Sequence, residues 1–184
     1  MNTKTVTVII VFAALAIVLN LSPLKIPAPY APYLIYQIWE IPIVAAFLLY
    51  GTRVSVLIAL LNTLTLIALF PGSLPTGPLY NLAAILGMLF GIGLMNVLAK
   101  KRSLKQEAIV ATLFTASGVV SRTALMAFVN YVCLRFPPPV GYGLPEEGVV
   151  AAIPFVIIFN LTLALYTIPL GYSVAKAVKS YTKV

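Results

Sequence analysis

The residues of this chain that could do chemistry are polar groups set inside long apolar stretches. Glu40 and Arg122 each interrupt such a stretch, and asparagines recur as Asn81, Asn130 and Asn160. Polar groups in apolar segments are costly to bury, so each one is a candidate for ligand binding or for pairing. An amide offers two N–H donors and one carbonyl acceptor, which suits the edge of a heteroaromatic ring. A hydrogen bond between helices is the competing role.

Two more asparagines and the only tryptophan complete the set of candidates. Asn20 and Asn62 fit a hydrogen bond between helices better than a ligand contact. Trp39 directly precedes Glu40. Its indole could stack on a flat ligand, and a place in the interfacial belt of aromatic residues is the alternative.

Glu40 and Arg122 predict an ion pair. Counted along the apolar stretches at 1.5 Å per residue, both charges lie about 9 Å below the same membrane surface. An unpaired charge at that depth would be strongly unfavourable, so we expect the two to meet. The pattern leaves two roles open, a contact that joins two helices and a contact with a ligand.

The composition excludes several classes of catalyst. The chain has 184 residues with no histidine, one cysteine and four acidic residues. A disulfide framework or a thiolate metal site within the chain is therefore excluded, and histidine-dependent nucleophilic catalysis is excluded as well. The pattern G-x-x-x-x-G-K-[ST] is also absent, so ATP hydrolysis is not expected of this chain. We expect neither an enzyme nor a bound metal.

The hydrophobicity predicts an integral membrane protein. Hydrophobic residues make up 61% of the chain, charged residues make up 9%, and the mean hydropathy is +1.06. A membrane-spanning helix needs about 20 predominantly apolar residues. We therefore predict an all-α bundle of six spans forming a single membrane domain over residues 1–184. The predicted spans are residues 5–24, 34–50, 54–70, 79–99, 108–134 and 149–175.

The distribution of basic residues predicts the orientation. With these spans, nine lysines and arginines fall on one side of the membrane and only Lys25 and Arg135 fall on the other. Such an excess is typical of the cytoplasmic side, so we expect both termini in the cytoplasm and the protein in the cell membrane. Topology accounts for the net charge of +8, and no nucleic-acid partner is expected.

The loops on the opposite side are rich in proline and aromatic residues. Phe70–Ala84 has three prolines, two glycines and no charge, which is typical of a rigid turn. We expect it to close over a small-molecule pocket, and a plain connection between two spans is the alternative. The prolines of Leu24–Tyr33 favour an extended, polyproline-like segment.

Five short motifs resemble those of a known family. They are EIPIVAAFLLYG, ALLNTL, GPLYNLAA, VNYVCL and FNLTLALYTIPL, in this order. In order and spacing the chain resembles the S components of energy-coupling factor (ECF) vitamin transporters, and among these it is most similar to the riboflavin-binding branch. In that branch two asparagines contact the isoalloxazine ring, and the resemblance assigns this role to Asn130 and Asn160.

The resemblance implies the function, the ligand and the partners. It implies a subunit that captures riboflavin from outside, with riboflavin as transported ligand and not as a cofactor. The implied partners are a membrane coupling subunit and two ATP-binding subunits. With the polar candidates above, the expected substrate-binding residues are Trp39, Glu40, Asn81, Asn130 and Asn160.

The first span and the last depart from the family pattern. The family commonly has small residues four apart that pack on the coupling subunit, and the corresponding pair here is Ile10 and Ala14. We expect the cluster of Ala13, Ala14 and Ala16 to supply that partner surface instead. Leu163 stands where the family often has a lysine.

Three alternatives remain. The first is an S component for another vitamin, such as thiamine or biotin. The second is a small intramembrane enzyme, against which the lack of histidine and of clustered carboxylates counts. The third is a structural or assembly protein of the membrane that binds no ligand.

Overall fold

The structure is a computed structural model that describes residues 2–70, 74–102 and 106–182. These residues form six helices and one two-stranded antiparallel hairpin. In chain order the elements are α1 (Thr3–Leu21), β1 (Ile26–Ala28), β2 (Ala31–Tyr36), α2 (Glu40–Tyr50), α3 (Thr52–Leu69), α4 (Gly77–Lys101), α5 (Glu107–Cys133) and α6 (Glu146–Thr182).

Five of the six helices are long enough to cross a membrane, and α2 is too short. By length and composition α1, α3, α4, α5 and α6 qualify, so the chain is a multi-pass membrane protein. Helix α2 has 11 residues, and at 1.5 Å per residue it reaches about half of the hydrocarbon thickness. The count of six spans and the cytoplasmic position of the termini remain predictions.

The hairpin corrects two predictions. Residues 24–33 were expected to form an extended, polyproline-like segment, and residues 34–50 a membrane span. The first segment is extended, but β1 and β2 pair with each other, with Ile26 opposite Tyr36 and Ala28 opposite Ala31. Of the predicted span only Glu40–Tyr50 is helical. The register shifts between Pro27, which lies opposite Ile35, and Ala28, and irregularities of this kind are places where strands tolerate proline. The fold is therefore all-helical apart from this hairpin, and Glu40 is the first residue of α2 instead of lying within a longer helix.

Helix α2 lies in the core of the bundle. Its residues from Pro42 to Phe47 are all buried. An apolar helix of this length is more typical of a protein core than of a membrane span. Gly51 reverses the chain into α3 at a φ of +86°, where a side chain would be strained. The core around α2 includes Trp39 and residues of α1, α3 and α4.

Helices α4 and α5 approach each other closely at a glycine. A Cβ added to Gly91 would overlap the carbonyl oxygen of Ser117. The Ser117 hydroxyl donates to the Gly91 carbonyl at 2.7 Å. Small residues that let two backbones meet are the usual device of helix packing in membranes. This contact sets the position of α5, which carries Arg122 and Asn130.

Helices α4 and α6 differ from their predicted bounds. Helix α4 starts at Gly77 with Pro78 in its first turn, a position where the missing N–H of proline costs nothing. Helix α6 continues to Thr182 and contains two prolines.

Candidate functional site

A cavity of about 370 Å³ opens at the end of the bundle where the hairpin lies. Ligand pockets have volumes of about 300–1,000 Å³. Its walls come from the last turn of α1, strand β2, the end of α3, the start of α4, and α5 and α6. Seven residues of the predicted Gly/Pro-rich turn line it, namely Phe70, Leu74, Gly77, Pro78, Tyr80, Asn81 and Ala84. Residues 71–73 of that turn lie outside the described ranges.

The predicted ion pair is confirmed and lies at the base of this cavity. The guanidinium of Arg122 binds Glu40 with both terminal nitrogens, Nη1 to Oε2 and Nη2 to Oε1, the latter at 3.0 Å. Both side chains are 2% exposed. A bidentate pair holds the guanidinium in one orientation. Arg122 lines the cavity while Glu40 lies behind it, so the charge next to a ligand is already balanced.

Arg122 also orients Asn160. Its Nε donates to Asn160 Oδ1 at 2.9 Å, and Asn160 Nδ2 donates to the Val156 carbonyl at 2.9 Å. Asn160 is 3% exposed and lines the cavity. The bond from Arg122 determines which side of the amide is the acceptor. An amide has two N–H donors and its oxygen two lone pairs, so Asn160 retains one of each for a ligand.

Asn130 lies on the preceding helix and lines the same cavity. Its Nδ2 donates to the Met126 carbonyl at 2.8 Å, and the side chain is buried. The structure thus brings Asn130 and Asn160 to one cavity, as the resemblance implies. Asn81 lines it as well, from a more exposed position near the start of α4.

Trp39 and Glu40 do not line the cavity. Trp39 is 3% exposed and packs in the core, so its indole has no open face for a flat ligand. The carboxylate of Glu40 is taken up by Arg122. The structure therefore favours the structural role of Glu40, and it favours a core role for Trp39.

Hydrogen bonds anchor the hairpin to α6. The Tyr36 hydroxyl lies 2.6 Å from the Tyr30 hydroxyl and 2.7 Å from the Thr162 hydroxyl. The Tyr166 hydroxyl donates to the Gln37 carbonyl at 2.6 Å. Burial, and then the bond to Tyr36, raise the pKa of Tyr30 to about 12. The Tyr30 hydroxyl is therefore protonated and neutral at physiological pH.

Sequence reasoning missed several cavity residues. Asn20 was expected to bond between helices, but it lines the cavity at the end of α1. Gln37 lines it from the segment after β2. Lys25 and Tyr33 join them from the hairpin region. Residues 31–36, APYLIY, do not alternate between polar and apolar side chains, so no local sequence signal could have placed these four residues at one cavity. Asn62, the other asparagine expected to bond between helices, does not line the cavity. It is 1% exposed, and neither of its amide atoms has a hydrogen-bond partner in the described part of the chain.

Only part of the predicted partner surface is accessible. Ala13 and Ala16 are buried in the core, at 4% and 0% exposure, because they face the other helices of the bundle. Ala14 is exposed, and Ile10 on the same face is 59% exposed. The small-residue cluster therefore reduces to Ala14 as a residue that a partner can reach.

A second and larger cavity, of about 810 Å³, lies between the starts of α1 and α3. Its floor is apolar, with Val8 and Val54, and Lys4 and Arg53 lie at its rim. Both basic side chains are exposed to solvent. Volume alone favours this cavity, but the buried polar groups that would select a ligand converge at the first one.

The fold matches a known structure. No protein-family model matches the chain, and no curated protein matches it. The solved structure of the S component of a bacterial ECF transporter matches with a TM-score of 0.73 over 97% of this chain and 99% of that one. The two sequences are 24% identical. The chain therefore has the fold of that S component over nearly its whole length.

Proposed function

We propose that this chain is the substrate-binding S component of an ECF-type transporter and that it captures riboflavin from outside the cell. The observation that carries the proposal is the buried set of Arg122, Asn130 and Asn160 at the cavity. It lies in a chain with the fold of an S component.

The chemistry of the isoalloxazine ring suits this set. The pyrimidine edge of the ring presents carbonyl acceptors and an N–H donor in a row. Asn130 and Asn160 can answer it with amide donors and an acceptor. A site built on such bonds rejects ligands that lack the matching groups, because its own buried polar groups would be left unpaired.

The charge of the cavity favours an uncharged ligand. Lys25 and Arg122 are the basic residues in its lining, and Arg122 is neutralised by Glu40. A phosphorylated ligand is usually bound by several free basic groups. Riboflavin without phosphate is therefore the preferred form.

The proposed subunit is not an enzyme and does not itself supply the energy for transport. A membrane coupling subunit and two ATP-binding subunits would drive release of the ligand to the inside. The exposed face of α1 around Ile10 and Ala14 is the proposed contact for the coupling subunit, because the resemblance assigns that contact to this helix and the small Ala14 allows a partner helix to approach closely.

Titration of the purified, ligand-free protein with riboflavin tests the proposal. We expect saturable binding by calorimetry, and we expect protein purified from riboflavin-containing medium to carry the visible absorbance of a flavin. Asn130→Leu should weaken the binding. Glu146→Gln is the control, because Glu146 is 63% exposed, pairs with Arg135 and does not line the cavity. A folded protein that binds no flavin would refute the ligand assignment.

Another vitamin is the second candidate, and one residue favours it. Leu163, at the position where the family often has a lysine, is 4% exposed and packs in the interior. One ligand contact of the family is thus absent. Titration with thiamine and with biotin under the same conditions separates this candidate from the first.

A further inference from the structure

Two polar atoms at the cavity have no partner in the described part of the chain. They are Nδ2 of Asn20, a donor, and Oε1 of Gln37, an acceptor. Both residues line the cavity, and Asn20 is 5% exposed. Buried polar atoms without a hydrogen bond are rare in native proteins and call for an explanation.

Three other buried polar residues of the cavity differ in this respect. Arg122, Asn130 and Asn160 each have at least one hydrogen bond within the protein. Leaving a buried donor or acceptor unpaired is unfavourable, because its bonds to water are lost and none replaces them. Asn20 and Gln37 therefore mark a part of the cavity whose polar atoms are satisfied by something other than the protein.

A hydroxyl group is the natural complement to this pair of atoms. It donates one hydrogen bond and accepts others, so one hydroxyl or a short run of them can serve both a donor and an acceptor. The two side chains come from α1 and from the segment after β2, whereas Asn130 and Asn160 come from α5 and α6. The backbone of Gln37 is held by Tyr166, which restricts where its side chain can reach.

We infer that Asn20 and Gln37 bind a hydroxylated arm of the ligand, while Asn130 and Asn160 bind its ring. The inference rests on the proposed function and extends it. The ligand class is a heteroaromatic ring that carries a chain of hydroxyl groups. Ordered water is the competing partner for the two atoms, because a water can also bridge a donor and an acceptor.

Two flavins that differ only in the arm separate these possibilities. Riboflavin carries a hydroxylated ribityl chain, and lumiflavin carries a methyl group at the same ring nitrogen. The probes are titrated by calorimetry into the full-length protein in detergent, unaltered and as Asn20→Leu and Gln37→Met. We expect each variant to weaken riboflavin binding about tenfold and to leave lumiflavin binding within about twofold.

Two further variants serve as controls for the effect on the two flavins. Asn130→Leu, on the ring side, should weaken both flavins alike, and Asn62→Leu, buried outside the cavity lining, should weaken neither. Thermal melting of each variant establishes that it is folded. Asn20→Ala replaces Asn20→Leu if the larger side chain prevents folding.

The outcomes are distinct. Weakening of riboflavin alone supports the inference. Equal weakening of both flavins overturns it, because the two residues then act on the ring or on the shape of the pocket. No weakening of riboflavin overturns it in favour of bound water. Both outcomes leave the proposed function standing. If the unaltered protein is folded and binds neither flavin, the proposed riboflavin function is wrong, and the hydroxyl inference falls with it.

Discussion

Two walls of the cavity differ in how their polar groups are satisfied. The α5–α6 wall carries Arg122, Asn130 and Asn160, whose side chains all form hydrogen bonds within the protein. Arg122 also forms the ion pair with Glu40. The α1–hairpin wall carries Asn20 and Gln37, each with an atom that has no partner among the described residues.

The difference separates stability from recognition. Bonds already present in the folded protein stabilise the fold and hold the α5–α6 wall in one geometry before a ligand arrives, which reduces the entropy lost on binding. Groups on the α1–hairpin wall gain their partners only with the ligand. Substitutions on the first wall should therefore affect folding as well as binding, and those on the second should affect binding alone.

The largest effect is expected from breaking the buried ion pair. Glu40→Ala or Arg122→Ala should each cost about 3–5 kcal/mol of folding stability, because the remaining charge stays buried without a partner. Chemical denaturation in detergent, or the yield of folded protein, measures the loss. The double variant with the two residues exchanged should recover part of it.

The matched control is the exposed pair of Arg135 and Glu146. Its charged atoms are 3.3 Å apart, and the side chains are 37% and 63% exposed. Exposed pairs contribute about 0–1 kcal/mol. Single alanine variants of Glu40 and Arg122 that are as stable as Glu146→Gln would show that the pair does not hold the α5–α6 wall.

The next largest effect is on ligand affinity. Asn130→Leu and Asn160→Leu should weaken riboflavin binding by about 1–3 kcal/mol, or roughly five- to 150-fold. Asn160→Leu should also lower the melting temperature, because it removes the acceptor for Arg122 Nε. Asn62→Leu is the control: it removes two unpaired amide atoms, so stability should be unchanged or higher. Similar losses of affinity in all three would refute the assignment of the wall.

A smaller effect is expected where the hairpin is anchored. Tyr36→Phe removes the hydroxyl that joins Tyr30 to Thr162 and should cost about 1 kcal/mol. The loss should be local, so we expect faster amide hydrogen exchange in Ala31–Tyr36 with little change elsewhere. Tyr181→Phe, at a residue that is 87% exposed, controls for loss of a tyrosine hydroxyl as such. Uniformly faster exchange across the bundle would contradict a local anchor.

The smallest effect on the isolated protein is expected outside both walls. Ala14→Trp lies on the exposed face of α1, so melting and riboflavin affinity should not change. Co-purification with the coupling subunit should be lost, because the larger side chain prevents close approach of two helices. Val120→Trp, at an exposed position of α5, is the control. Retained assembly in Ala14→Trp would exclude this face as the contact.

Some features of the protein follow from the sequence alone. Apolar content and the lengths of apolar runs are properties of single segments, so membrane insertion and five of the helices could be predicted without knowing any contact. The pair of Glu40 and Arg122 could be predicted because two opposite charges in apolar surroundings have few other ways to be satisfied. The predicted pair is present, but the depth counted for Glu40 was wrong. The count assumed a helix from residue 34, and α2 begins at Glu40.

Other features depend on the tertiary structure. Residues 31–36 are apolar enough for a helix, and only pairing with β1 makes them a strand. Trp39, Ala13 and Ala16 are buried because neighbouring helices happen to cover them. Asn20 lies at the cavity because the last turn of α1 and the hairpin form parts of the same wall. A local pattern states what a side chain needs from its surroundings, but which neighbours meet that need is decided by contacts between residues far apart in the chain.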